Sequence, residues 1–167
     1  MMWMKVGHSG KHEIPTPQMA QSGTVSYTGR FERTLDDKGR LTLPSAWRYA
    51  HDETETFLAV PVAGHITVLP PDEVEKIRGQ IKALKLKDTA TQAAATKFFS
   101  EAQTFSFDKA GRVILDVALL KQAGIEREAV FAGSLTKFNI FSPARWKQEK
   151  ALAASQDAGD MLNLLGI

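Results

Sequence analysis

The sequence predicts an α+β fold made of two tandem copies of one β-rich unit with flanking helices. Three observations predict it. The chain aligns with itself without a gap at an offset of 72 residues. Each copy carries the same turn, Asp-x-x-Gly-Arg, between β-rich runs. Each copy is followed by a segment that reads as a helix.

The offset lays residues 31–74 on residues 103–146. Asp36, Gly39 and Arg40 fall on Asp108, Gly111 and Arg112; Leu43 falls on Leu115, Ala46 on Ala118 and Pro71 on Pro143. Six identities in 44 positions would be poor support alone, but the hydrophobic pattern agrees as well. Leu41 meets Val113, Trp47 meets Leu119, Leu58 meets Val130, and Val68 meets Ile140.

Residues 1–26 read as a mobile extension, rich in Gly, Ser and Pro and without sustained periodicity. His8 and His12 have helical ligand spacing, but Gly10 and Pro15 argue against a helix there, so no metal site is expected. A first unit with its helix then spans 27–90. Strands are expected over 31–35 and 40–43, a short helical piece over 45–50, and strands over 56–60 and 65–69. In 71–87, Val74, Ile77, Ile81 and Leu84 fall three and four apart on one helical face. Asp72, Glu73 and Glu75 stand at its start and Lys82, Lys85 and Lys87 near its end, which suits the helix dipole.

A linking helix over 91–100 opens the second unit, 91–154. Its strands are expected over 104–107 and 112–115, then 129–132 and 137–141, with a helix over 117–123 capped by Gly124. Ser142-Pro143 is a helix start, because Ser can accept from a free N–H and Pro lacks only a donor that would be unpaired anyway. That helix should run to about residue 154. The tail 155–167 ends in Leu162, Leu164, Leu165 and Ile167, apolar enough to dock on a neighbour.

The repeated turn has a specific physics. Asp36 or Asp108 at its first position accepts from backbone N–H groups ahead of it, and Gly39 or Gly111 supplies a positive φ. The residue after the glycine re-enters β structure, so Arg40 and Arg112 stand on rigid backbone. An arginine so held loses little entropy when it forks onto a phosphate or a guanine edge.

The net charge is only +2, so bulk charge argues weakly for a nucleic-acid partner, but the distribution is segregated. Residues 51–75 hold six acidic groups and no Lys or Arg, whereas residues 76–87 hold five basic groups and no acid. The absence of Cys excludes disulfide scaffolds, thiolate catalysis and Cys-based zinc sites. No apolar run is long enough to span a bilayer, and no secretory h-region follows the first residues.

Residues 29–44, Gly-Arg-Phe-Glu-Arg-Thr-Leu-Asp-Asp-Lys-Gly-Arg-Leu-Thr-Leu-Pro, closely resemble the first half of MraZ proteins, bacterial regulators with two SpoVT/AbrB-type units. Residues 107–115 resemble the second unit, and Gln122-Ala123-Gly124-Ile125 its helix end. The resemblance covers about residues 27–150. It implies a pseudo-dimeric β-barrel of interleaved hairpins and assembly into a ring-shaped homo-oligomer. It also implies binding to repeated elements of double-stranded DNA in the promoter of the division and cell-wall gene cluster, hence a cytoplasmic, nucleoid-associated protein. The family's DNA-contacting turn arginine falls on Arg40, with Lys38 beside it; internal repetition extends the role to Arg112, with Lys109 in its turn. Departures from the pattern include Thr28, Asp116, a linker with one basic residue, Lys97, and Ala110, which removes a cation from the second turn. They assign the second unit a mainly structural role. Met19 is an alternative start.

No nucleotide-binding loop, zinc-protease motif or nucleophile elbow is present, so neither an enzyme nor a cofactor or small-molecule substrate is expected. Ser45, His51 and Asp52 lie close in sequence without the marks of a triad. Trp47 and Trp146 read as packing residues rather than base-stacking platforms. The rival reading is a non-catalytic oligomeric interaction module that keeps the barrel and reads no DNA.

Overall fold

The computed structural model describes residues 25–84 and 88–167. Most of the expected extension, with His8, His12 and Met19, lies outside the described residues, as do Lys85 and Lys87 at the end of the first amphipathic helix. Residues 25 and 26, assigned to that extension from the sequence, belong to the fold, for Val25 is buried in the core.

The strands are β1 (Arg30–Thr34), β2 (Arg40–Thr42), β3 (Phe57–Val62), β4 (His65–Leu69), β5 (Gln103–Phe105), β6 (Arg112–Ile114), β7 (Glu128–Gly133) and β8 (Phe138–Phe141). A 3-10 turn at Ser45–Trp47 replaces the longer helical piece expected there. The helices are α1 (Pro71–Ala83), α2 (Thr89–Ser100), α3 (Val117–Gln122), α4 (Pro143–Ala153) and α5 (Ala158–Leu165).

Strand pairing follows the repeat. All pairs are antiparallel, and one sheet has the order β1-β7-β8-β4-β3-β5, while β2 and β6 form a separate two-stranded ribbon. Exchanging each strand for its counterpart at the 72-residue offset reverses this order and leaves it unchanged. The registers obey the same exchange: Arg33 opposite Ala129 maps onto Phe105 opposite Phe57. In the ribbon, Arg40 faces Ile114 and Thr42 faces Arg112.

Two expectations from the sequence change here. The strands on either side of each Asp-x-x-Gly-Arg turn do not form a local hairpin ladder. β1 leaves to pair with β7 and β2 with β6, because Leu41 and Val113 bury themselves only when the ribbon lies across the common core. The sheet also does not close into a barrel. It ends at β1 and β5, and the ribbon pairs with neither edge.

The core lies between the sheet and the ribbon. Trp47 is fully buried at its centre, edge-on to Phe31 and tilted against Phe138, and its Nε1 donates to the Thr28 carbonyl at 2.9 Å. Tyr27 is buried beside it, and its hydroxyl lies 2.6 Å from His51 Nε2. Trp146 packs instead in a second, smaller cluster with Val130, Ala132 and Phe141. Both tryptophans are packing residues, as their sequence context suggests.

The helices start where the sequence provides caps. Ser142 Oγ accepts from Arg145 N at 3.0 Å ahead of α4, and Pro143 takes its first position. Asp88 caps α2. The expected tail contains a helix that periodicity did not reveal. Asp157 and Asp160 form a reciprocal capping box at the start of α5, and Gly166 ends it at φ +75.

Candidate nucleic-acid interface

Each turn is built by its aspartate. Asp36 Oδ1 accepts from Lys38 N at 2.9 Å and from Arg40 N at 2.8 Å, and Oδ2 accepts from Arg40 Nε at 2.7 Å. Gly39 N donates to Asp36 O and Asp36 N to Arg40 O, both at 2.9 Å. The second turn copies this bond for bond. Asp108 Oδ1 accepts from Ala110 N at 3.0 Å and Arg112 N at 2.9 Å, and Oδ2 from Arg112 Nε at 2.8 Å. The backbone N–H of the arginine is the main cause holding each carboxyl below the usual carboxylate range, with the guanidinium adding to it.

The glycines are required by the backbone, Gly39 at φ +75 and Gly111 at φ +81. The turn thus reads in full as sequence physics, except that the aspartate also grips the arginine side chain. That ion pair, four residues apart, engages Nε. Among the described residues the terminal guanidinium nitrogens of Arg40 and Arg112 make no hydrogen bond.

Pairing of β2 with β6 brings the two turns to opposite ends of one short ribbon. Leu41 and Val113 point into the core, so Arg40, Thr42, Arg112 and Ile114 share the outer face. Both arginines line one concavity of about 510 Å³ with Ser106 and Asp108. Gln103 ties its floor together, donating to the Ile114 carbonyl at 3.1 Å and accepting from Asp116 N at 2.7 Å. Lys38 and Lys109 are exposed at the tips of their turns.

One basic residue was missed from the sequence. The Arg48 guanidinium lies over Gly111, so close that a Cβ there would collide with it, whereas nothing stands within 4 Å of a Cβ at Gly39. Arg48 comes from the first copy and covers the turn of the second. Its Nε is buried, with no hydrogen-bond partner among the described residues. The signal was present only as a pairing across copies, which local reading does not supply. Arg48 thus places a guanidinium beside the turn from which Ala110 removes a cation.

Among the described residues no helix is long and apolar enough to cross a membrane, and no group of three or more His, Asp or Glu side chains is placed to hold a metal ion.

A family model described as "MraZ protein, putative antitoxin-like" matches residues 98–161. The curated relatives include a protein of Thermomicrobium roseum named "Transcriptional regulator MraZ", 32% identical over 130 residues, covering 78% of this chain and 91% of the relative. Proteins of the same name from Desulfitobacterium hafniense and Syntrophomonas wolfei are 32% and 28% identical over 144 residues, each alignment covering 84% of this chain and 99% of the relative.

Proposed function

The chain belongs to the MraZ family of transcriptional regulators, and from that membership we propose that it binds double-stranded DNA through the outer face of the β2–β6 ribbon. The observation that carries this reading is the joint placement of Arg40 and Arg112 on that face, each backbone-anchored and gripped through Nε, with its terminal nitrogens unbonded among the described residues. A two-stranded antiparallel ribbon is narrow enough to enter a major groove. Arginines whose rotamers are already fixed can fork onto a guanine edge or a phosphate with little further ordering. Lys38 and Lys109 at the turn tips reach for flanking phosphates.

In this reading the chain carries two SpoVT/AbrB-type units, 27–90 and 91–154, whose interleaved strands make the ribbon a joint product of both. It acts as a homo-oligomeric ring on repeated promoter elements of the division and cell-wall gene cluster, in the cytoplasm and associated with the nucleoid. Repetition matters because one ribbon offers few contacts, and linked copies gain through effective concentration.

The test is footprinting on the protein's own upstream region, combined with a salt titration of affinity. Protection of spaced repeats, with affinity falling linearly in log–log form as salt rises, is expected. Absence of specific protection, or affinity indifferent to salt, overturns the reading in favour of an interaction module that does not touch DNA.

A further inference from the structure

The 72-residue offset exposes a place where the two halves differ in volume. Trp146 on α4 packs on Phe141 at 5.3 Å between ring centroids and on Val130, filling the angle between its helix and the sheet. The equivalent position on α1 is Val74, and the equivalent of Val130 is Leu58. A valine cannot fill the space that the indole fills in the other half. The result is an apolar groove of about 540 Å³ lined by Leu58, Val74, Ile77, Ile81 and Phe99, with Arg78 and Lys82 on its rim. Accordingly α1, though amphipathic, has no buried residue.

A complementary element stands elsewhere on the same chain. α5 presents Met161, Leu162, Leu164 and Leu165 to solvent and has no buried residue of its own. Its charge is opposite to that of the groove. Residues 151–167 carry Asp157 and Asp160 and no basic residue, whereas the charged side chains that line the groove are Arg78 and Lys82. Arg78 is shared with Glu75 at 3.2 Å in a well-exposed pair, a weak hold that leaves it free to re-pair. In the chain's own fold the groove is empty and α5 lies outside it.

We propose that α5 of one copy seats its apolar face in the α1 groove of the next copy, its aspartates toward Arg78 and Lys82. Helix and groove are different surfaces of the chain, so the contact can run head to tail from copy to copy, and repetition of a head-to-tail contact around a closed rotation yields a ring. The inference rests on the oligomeric part of the function proposed above and supplies its interface. It is independent of which ribbon residues touch DNA.

The full-length chain is measured by size exclusion with light scattering, beside Val74→Trp, which fills the groove as Trp146 fills its own half, and Leu165→Asp, which charges the exposed face of α5. Both variants are first checked by circular dichroism; Leu165 makes no core contact, so that variant keeps the proposal testable if Val74→Trp misfolds. The wild type is expected to be oligomeric, and each variant alone to dissociate at concentrations roughly tenfold higher or more. Mixing the two is expected to yield a heterodimer, because one supplies an intact helix and the other an intact groove. Retention of wild-type mass by both variants overturns the proposal, as does failure of the mixture to associate. A lowered melting temperature in both at unchanged monomer mass would place α5 in its own chain's groove and overturn it too. A monomeric wild type would instead remove the oligomeric reading on which the proposal stands.

Discussion

Thr67 Oγ1 donates to Asn139 Oδ1 at 2.9 Å, and the two residues stand 72 positions apart, at equivalent places in the two copies. They face each other in the β4–β8 ladder, flanked by Ile66 opposite Ile140 and Val68 opposite Phe138. The approximate two-fold of the fold therefore passes between a threonine and an asparagine, and the copies are joined there by a side-chain hydrogen bond between unlike residues. Thr67→Val keeps the shape and removes the donor. It is expected to cost about 0.5–1.5 kcal/mol in denaturant unfolding. In a double-mutant cycle with Asn139→Ala, the coupling should account for most of that loss; simple additivity would mean the bond holds nothing.

The two turn glycines should respond unequally to the same change. Gly39→Ala meets open space and bears only the strain of a positive φ, about 1 kcal/mol. Gly111→Ala bears that strain and must also eject the Arg48 guanidinium. Thermal unfolding should show the larger loss at Gly111. The excess should vanish in an Arg48→Ala background, where the collision no longer exists. Equal losses would mean that the Arg48 side chain moves aside without cost.

Local grammar was legible in the sequence because it is written in neighbouring residues. The positive-φ glycines, the Ser142 cap, the proline starts and β4 at His65–Leu69 all stand where short-range patterns put them. Strand partners were not legible. A turn flanked by two β-rich runs looks the same whether those runs pair with each other or with the second copy. Only burial of Leu41 and Val113 in a common core decides for the second copy. Arg48 was invisible for the same reason, since its contact lies 63 positions away at Gly111. α5 had a readable signal in Asp157, Asp160 and Gly166, a capping box and a C-terminal glycine, which the apolar character of the tail obscured.

Arg40→Ala and Arg112→Ala should weaken specific DNA binding by similar amounts, about 1–3 kcal/mol per site if each reads a base. The sequence suggested a smaller loss at Arg112, because Ala110 and a linker whose one basic residue is Lys97 leave its surroundings poor in cations. Both arginines stand on one ribbon face, and Arg48 lies over the second turn, which favours equal losses. Affinity measured on a single repeat, with circular dichroism as the folding control, tests this. A loss confined to Arg40 would restore the second turn to a structural role.

Asp36→Asn separates the grip on the arginine side chain from the turn itself. The amide oxygen can still accept from Lys38 N and Arg40 N, but the charge that holds Arg40 Nε is gone. Little stability should be lost, since exposed ion pairs are screened by water and salt. Affinity for the operator should nonetheless fall, because Arg40 regains rotamers that must be frozen on binding. Unchanged affinity would show that the aspartate only shapes the backbone.

His65 gives the fold a pH dependence whose sign is fixed by its surroundings. The ring packs on Phe141 at 4.6 Å between centroids, and Nδ1 is buried with no hydrogen-bond partner among the described residues. Burial is the main cause holding its pKa below the ordinary 6.5; Arg145 acts in the same direction, while Glu149 and a backbone hydrogen bond at Ala63 oppose it. The unfolded chain takes up the proton near the ordinary value and the folded chain only at lower pH. The contribution of a neutral His65 is therefore complete above the unfolded pKa and is lost progressively as pH falls from there through the folded pKa. Denaturant midpoints at about pH 7.5 and 5.5 should show the wild type losing more stability than His65→Gln, which cannot titrate in this range. Every carboxylate is common to both proteins, so the difference isolates the imidazole. Parallel losses would mean that His65 gains a partner for its second proton when the ring charges, and that its burial carries no penalty.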